Sequence, residues 1–162
     1  MIRTQRAATG DCREMAELLN DIIKAGGTTA LTDPVSAGDL RDWVLLSQPD
    51  DSACQVARDS LGEVVGFQWI GPNATLPPGA VDIATFVRMG QTGLGIGSRL
   101  FDATRQAAQQ LGYIWINATI RADNESGLTY YQSRGFRDWR FDEDVALPDG
   151  TLVNKISKRF DL

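Results

Sequence analysis

The spacing of apolar residues along the chain changes several times, and each change marks an element. Met15, Leu18, Leu19, Ile22 and Ile23 fall on one helical face. Asp11 stands before them as a candidate cap, and Gly26-Gly27 end the run. A short strand, Ile2 to Ala7, comes first. After a loop, TTALTDPVS, the residues Leu40, Trp43 and Val44 predict a second helix. The pattern then turns to strands. "SACQVARD" and "EVVGFQWIG", joined by SLG, predict an antiparallel hairpin. "NATLPPG" reads as a loop and "AVDIATFVRM" as a further strand. Helical spacing returns with Ile96, Leu100, Ala103, Thr104, Ala107 and Leu111. "YIWINATI" is a strand, "DNESGLTYYQSR" a shorter helix stopped by Gly135. "FRDWRFDEDVAL" and "TLVNKISKRF" form a terminal hairpin about Pro148-Asp149-Gly150.

The order is β-α-α-β-β-β-α-β-α-β-β. A strand, a crossover helix and another strand imply one parallel pair, and the hairpins imply antiparallel neighbours. The expected fold is α+β with three α/β/α layers: a mixed, mostly antiparallel central sheet flanked by helices, as one domain over residues 1–162.

Composition narrows the function classes. The chain has 162 residues, 43% of them apolar, and a mean hydropathy of -0.20. That suits one soluble globular unit with a real core. No apolar run approaches the roughly 20 residues needed to cross a bilayer. The start, MIRTQRAATGD, lacks the apolar region of a signal peptide, so a cytoplasmic protein with no membrane partner is expected. A net charge of -5 disfavours nucleic acid as a partner. The chain contains no histidine, which excludes Ser-His-Asp and Cys-His nucleophile schemes and every His-based metal site. No metal is expected. Cys12 and Cys54 are too far apart for a local metal knuckle and read as two buried, inert thiols.

Three alternate glycines, Gly93, Gly95 and Gly97, separate a strand from a long amphipathic helix. A helix N-terminus carries unpaired N–H groups and partial positive charge. Glycine lets backbone approach a ligand closely. Together they make a cradle for phosphate or diphosphate, with the amides of Gly93 to Ser98 as donors. A plain βα turn with tight helix packing is the competing reading. The dinucleotide fingerprint G-x-G-x-x-G does not fit, because the third glycine comes one place early, and no Lys follows the glycines as Walker A demands.

"QTGLGIGSRL" resembles motif A of the GNAT superfamily of acyl-CoA-dependent N-acetyltransferases, [QR]-x-x-G-x-[GA]. "NESGLTYYQSRGF" resembles that superfamily's N-x-x-[AG]-x-x-x-Y-x-x-x-G-F, with Asn124, Gly127, Tyr131, Gly135 and Phe136 in register. The order of elements is similar as well. Thr92 stands where the family usually has Arg or Gln, so backbone amides must do more of the binding, with Arg99 or Arg88 as candidate added charge. "NDIIKAGGTTA" with Asp39 and Trp43, and "VDIATFV", resemble the phosphinothricin and methionine-sulfone acetyltransferase branch.

The resemblance implies acyl transfer from acetyl-CoA to the primary amine of a small molecule, such as an amino acid or its analogue. Such an amine must lose a proton before attack, and the leaving thiolate gains from a donor. With no histidine, carboxylate, tyrosine or water must serve. Asp82 is the candidate base and Tyr131 the candidate acid, since a tyrosine keeps its proton at neutral pH. Each also has a plain structural reading, a polar strand-end residue and a packed ring. Phe86 and Val87 would offer strand backbone to the pantetheine amides. Thr92, Gly93, Leu94, Gly95, Ile96, Gly97 and Ser98 would take the diphosphate. Asn124 would meet the pantetheine arm or cap its helix. Gly127 would admit a ligand or allow close packing. Trp69, Asn73, Thr28 and Thr29 are candidate acceptor-pocket residues or simply packing and loop residues. A homodimer is in keeping with the family. A non-catalytic acyl-CoA-binding module and a nucleotide binder are the alternatives.

Overall fold

A computed structural model describes residues 1–43, 50–91 and 94–162. Val44, Thr92 and Gly93 therefore lie outside the described residues. The chain runs β1 (Arg3–Arg6), a 3-10 turn (Thr9–Asp11), α1 (Cys12–Ala25), α2 (Ala37–Arg41), β2 (Ala53–Arg58), β3 (Val64–Gly71), β4 (Ala80–Val87), α3 (Ile96–Gln110), β5 (Trp115–Arg121), α4 (Glu125–Ser133), β6 (Arg137–Ala146) and β7 (Leu152–Asp161). The expected order of helices and strands holds throughout, with the 3-10 turn added.

The strands form one seven-stranded sheet in the order β1-β2-β3-β4-β5-β7-β6. Every neighbouring pair is antiparallel except β4 and β5, which α3 connects as a parallel pair. Alternation of side chains separates the two faces. Cys54 and Val56 of β2 and Phe67 of β3 pack with Met15, Leu18, Leu19 and Ile22 of α1. Ile70, Val81, Ile83, Ile116, Ala118 and Ile120 pack with Phe101 of α3 and Tyr131 of α4. Hence α1 and α2 cover one face, α3 and α4 the other.

Local chemistry explains the boundaries. Gly26 ends α1 at φ +72°, a conformation that side chains resist. Ser36 and Asp39 cap α2 reciprocally: Ser36 Oγ accepts the Asp39 N–H at 3.0 Å, and Asp39 Oδ2 accepts the Ser36 N–H at 2.9 Å. Asp11 holds the N-cap position of α1 as expected, but its side chain makes no capping bond to that helix. It reaches back to accept the Ala8 N–H at 2.7 Å and pairs with Arg58 of β2. A buried carboxylate needs a cationic partner more than a helix start needs a cap. The buried arc of α3 is also wider than its spacing implied. Phe101 and Ala108 join Ile96, Leu100, Thr104 and Ala107, while Ala103 and Leu111 are half-buried. The cause is a second contact surface, because the Phe101 ring lies 5.5 Å from Phe136 and 5.1 Å from Phe160.

The two cysteines are free and buried, and burial raises both thiols above their ordinary pKa. Their burial is as expected, and a raised thiol pKa disfavours the reactive thiolate. Among the described residues no helix is long and apolar enough to cross a membrane.

Candidate active site

Pairing between β4 and β5 runs only from Ala80↔Trp115 to Asp82↔Asn117. Beyond it the two strands diverge, although β4 continues to Val87 and β5 to Arg121. The opposite edge of β4 stays paired with β3 as far as Val87. Residues 83–87 of β4 thus lack a strand partner on the β5 side. A cleft of about 1630 Å³ opens at this divergence.

The cleft gathers most of the residues singled out from the sequence. Thr28, Thr29, Trp69, Asn73, Asp82, Phe86, Val87, Gly95, Ile96, Gly97, Ser98, Asn124, Gly127 and Tyr131 all line it. Leu94 does not, and its side chain is exposed.

At one end stands the start of α3. The first bond along the helix is from the Arg99 N–H to the Gly95 carbonyl at 3.1 Å. The amides of Ile96, Gly97 and Ser98 precede it and have no acceptor within the helix. Gly95 is the N-cap at φ +80°, with nothing among the described residues within 4 Å of where a Cβ would be. It satisfies both demands of an anion cradle, a left-handed turn and open space. Gly97 is glycine for another reason. A Cβ there would lie 2.5 Å from Cε1 of Tyr130, so the ring occupies the space. Ile96 contributes backbone, since its side chain is core. Of the expected extra cations, Arg88 is bound to Glu63 at 3.0 Å and to the Val64 carbonyl at 2.6 Å, and Arg99 is exposed; neither lines the cleft.

In the middle, Asp82 lies where the strands part. Its Oδ1 accepts from Asn117 Nδ2 at 2.9 Å, and its Oδ2 from Asn73 Nδ2 at 3.3 Å. Burial raises its pKa above the usual carboxylate value, and these two amides offset part of that. Asn117 is itself locked, because its Oδ1 accepts the Trp139 indole N–H at 2.9 Å.

Tyr131 approaches from the other face of β4. Its hydroxyl lies 2.7 Å from Thr85 Oγ1, and Thr85 is three residues from Asp82, so the two side chains point to opposite sides of the strand. Burial, then the neighbouring Tyr130, raise the Tyr131 pKa well above its ordinary value, so the phenol keeps its proton. Tyr130 donates to the Gly97 carbonyl at 2.7 Å and accepts from Gln68 Nε2 at 3.0 Å; burial pushes its pKa up to about 12. Gln68 Nε2 also donates to Thr85 Oγ1 at 2.9 Å, which joins both tyrosines in one network.

Asn124 caps α4. Its Oδ1 accepts the Gly127 N–H at 3.0 Å, and its Nδ2 donates to the Thr28 carbonyl at 3.1 Å. Gly127 leaves room for this cap, since a Cβ there would meet Asn124 Nδ2 at 2.5 Å. With Arg121 donating to the Thr29 carbonyl at 3.3 Å, these bonds tie the loop after α1 across the cleft.

Sequence reasoning missed Gln68, Thr85, Asn117 and Arg134. The first three had a readable signal, each being a polar residue within a largely apolar strand. Arg134 had none.

These features meet a decisive match. The Acetyltransferase (GNAT) family matches residues 14–136. The chain belongs to the GNAT acetyltransferase family. Its members' chemistry makes it an acetyl-CoA-dependent N-acetyltransferase. The chain is 32% identical to the phosphinothricin N-acetyltransferase of Streptomyces coelicolor over 136 residues, which is 78% of this chain and 77% of that one. It is 27% identical to the L-methionine sulfoximine/L-methionine sulfone acetyltransferase of Pseudomonas aeruginosa, over 80% of this chain and 77% of that one. In fold, it is similar to the crystal structure of a GNAT superfamily phosphinothricin acetyltransferase from Sinorhizobium meliloti in complex with AcCoA. The TM-score is 0.86 at 19% identity, covering 99% of this chain and 88% of that one.

Proposed function

We propose that this GNAT enzyme acetylates the primary amine of a small amino-acid-like molecule, with Asp82 as base and Tyr131 as acid. The observation that carries the reading is the divergence of β4 and β5 with a half-buried carboxylate at its root.

The chain's backbone fits coenzyme A. Residues 83–87 offer an unpaired strand edge to amides of the pantetheine arm, at Val87 above all, while Phe86, expected to share this role, turns its backbone toward β3. Gly95 and the amides of Ile96, Gly97 and Ser98 suit the diphosphate. Thr92, Gly93 and Leu94 complete that loop in this reading. Acetyl-CoA supplies the activated acyl group as a thioester.

Asp82 takes the proton from the acceptor's ammonium, directly or through water. A carboxylate whose pKa is raised is a better base for this than an ordinary one. Tyr131 holds its proton at neutral pH and gives it to the departing thiolate from the opposite face of the sheet. Thr85 and Gln68 orient the hydroxyl. Asn117, held by Trp139, orients Asp82.

The acceptor side is lined by both signs of charge. Asp82 and Asp142 face the cleft with Arg140 and Lys155, and Lys155 is near enough to Asp82 to lower its pKa slightly. This suits a zwitterion, amine toward Asp82 and acid group toward the cations. Trp69, Asn73, Thr28 and Thr29 would form the pocket wall. The named substrates of the relatives are amino-acid analogues, which supports the same class. The setting in this reading is cytoplasmic, and exposed Phe141 and Leu152 on the outer hairpin support a homodimer.

The test is thiol release from acetyl-CoA against amino acids, their sulfone and phosphinic analogues, and polyamines. Turnover with an amino acid or analogue is expected. Turnover confined to polyamines would overturn the acceptor class. CoA binding without turnover on any amine would favour a non-catalytic module.

A further inference from the structure

The glycine segment carries no cation of its own: residues 89–98, MGQTGLGIGS, contain neither Lys nor Arg. A different element brings one. Arg134, just after α4, donates from Nη1 to Ser98 Oγ at 2.8 Å. Both residues line the cleft. Arg134 is half-buried, and its Nε is shielded from solvent with no hydrogen-bond partner among the described residues. Among the described residues no carboxylate pairs with it.

This placement is unfavourable by itself. Ser98 is in the first turn of α3, the positive end of that helix. A guanidinium brought there faces partial charge of its own sign. A hydroxyl oxygen does not neutralise it, and half-burial weakens the screening by water. An anion between the two positive features would reverse the sign of the interaction.

We propose that Arg134 binds coenzyme A through a phosphoryl oxygen of its diphosphate, held against the first-turn amides of α3. The inference rests on the acetyl-CoA reading above. A guanidinium presents five N–H donors in a planar fork matched to phosphoryl oxygens. Ser98 occupies one and fixes the orientation, so the fork is set before the ligand arrives. Arg134 thus supplies, from the end of α4, the charge that the sequence lacks at Thr92.

Calorimetric binding of CoA and dephospho-CoA tests this in the wild-type protein and in Arg134→Leu, Arg134→Gln and Arg134→Lys. Loss of a charge-assisted phosphate contact should raise the CoA Kd about tenfold to a hundredfold in Arg134→Leu and Arg134→Gln. Arg134→Lys should recover part of the loss. With acetyl-pantetheine, which has no diphosphate, wild type and variants should turn over alike. At saturating acetyl-CoA, kcat should change little while KM rises. The Arg134-dependent factor should persist with dephospho-CoA. If it vanishes there, the residue meets the 3′-phosphate and the diphosphate assignment is overturned. Unchanged CoA affinity in a variant with wild-type thermal stability overturns the proposal alone. A wild-type protein that binds no CoA overturns the acetyl-CoA reading and this inference with it.

Discussion

The ring of Tyr130 occupies the space where a side chain at residue 97 would begin, and its hydroxyl donates to the carbonyl of Gly97 at 2.7 Å. One glycine of the triplet therefore serves packing, and another, Gly95, serves the turn. Gly97→Ala should be destabilising. Overpacking of about 1–3 kcal/mol exceeds the gain of roughly 1 kcal/mol from better helix propensity. In a Tyr130→Ala background the clash is gone, and the same substitution should become neutral or stabilising. Urea denaturation of the four proteins reads the change of sign.

Gly95→Asp should abolish CoA binding. It places a carboxylate at the open N-cap and forces a side chain into φ +80°. The strain alone costs stability on the order of 1 kcal/mol, so calorimetry with CoA and thermal unfolding are read together. A folded Gly95→Asp protein with normal CoA affinity would refute the assignment of the loop.

Asp82→Asn should reduce turnover at neutral pH about a hundredfold or more, the usual worth of a positioned base. The wild-type rate should rise with pH through a limb above the ordinary aspartate range, and that limb should disappear in the variant. Stability follows the opposite sense. Burial raises the Asp82 pKa in the folded state, so the protonated form is favoured by folding. The wild type therefore loses stability as pH climbs from the ordinary Asp value through the raised one. Asn has no such titration. The stability of Asp82→Asn relative to wild type should grow across that window, measured by denaturation at a series of pH values.

Tyr131→Phe removes only a hydroxyl from a buried ring whose partner, Thr85, keeps its bond from Gln68. Folding should weaken by about 1 kcal/mol. Turnover should fall far more, about a hundredfold or beyond, with CoA affinity nearly unchanged. Equal losses in stability and activity would mean that the phenol is packing and no more.

Asp11→Ala should cost about 1–3 kcal/mol, because Arg58 and the Ala8 amide each lose an acceptor. Neither Asp11 nor Arg58 lines the cleft, so kcat should stay at the wild-type value.

The elements were readable wherever apolar spacing had one cause. The 3.6-residue stripe of α1 answers to a single packed face. Spacing misled at α3, which packs against two surfaces and buries Phe101 and Ala108 as well. Asp11 misled because a local cap competes with a long-range ion pair, and only the fold brings Arg58 close. Motif spacing located the cleft through Gly95, Asn124 and Tyr131. It did not assign the work of each residue. Gly97 and Gly127 match motif positions, yet their neighbours Tyr130 and Asn124 explain why a side chain is excluded. Arg134 was invisible because its meaning depends on Ser98, 36 positions away.

The parting of β4 from β5 leaves a seam in the middle of a sheet that is otherwise zipped from edge to edge. A seam of this kind is a vulnerability, since free backbone groups attract any extended chain. Here it is short and recessed, so a slender linear guest is admitted where a folded strand is kept out. Its closure should be visible as slowed hydrogen exchange at the amides of Ile83, Thr85 and Val87, which face away from β3, once CoA is added.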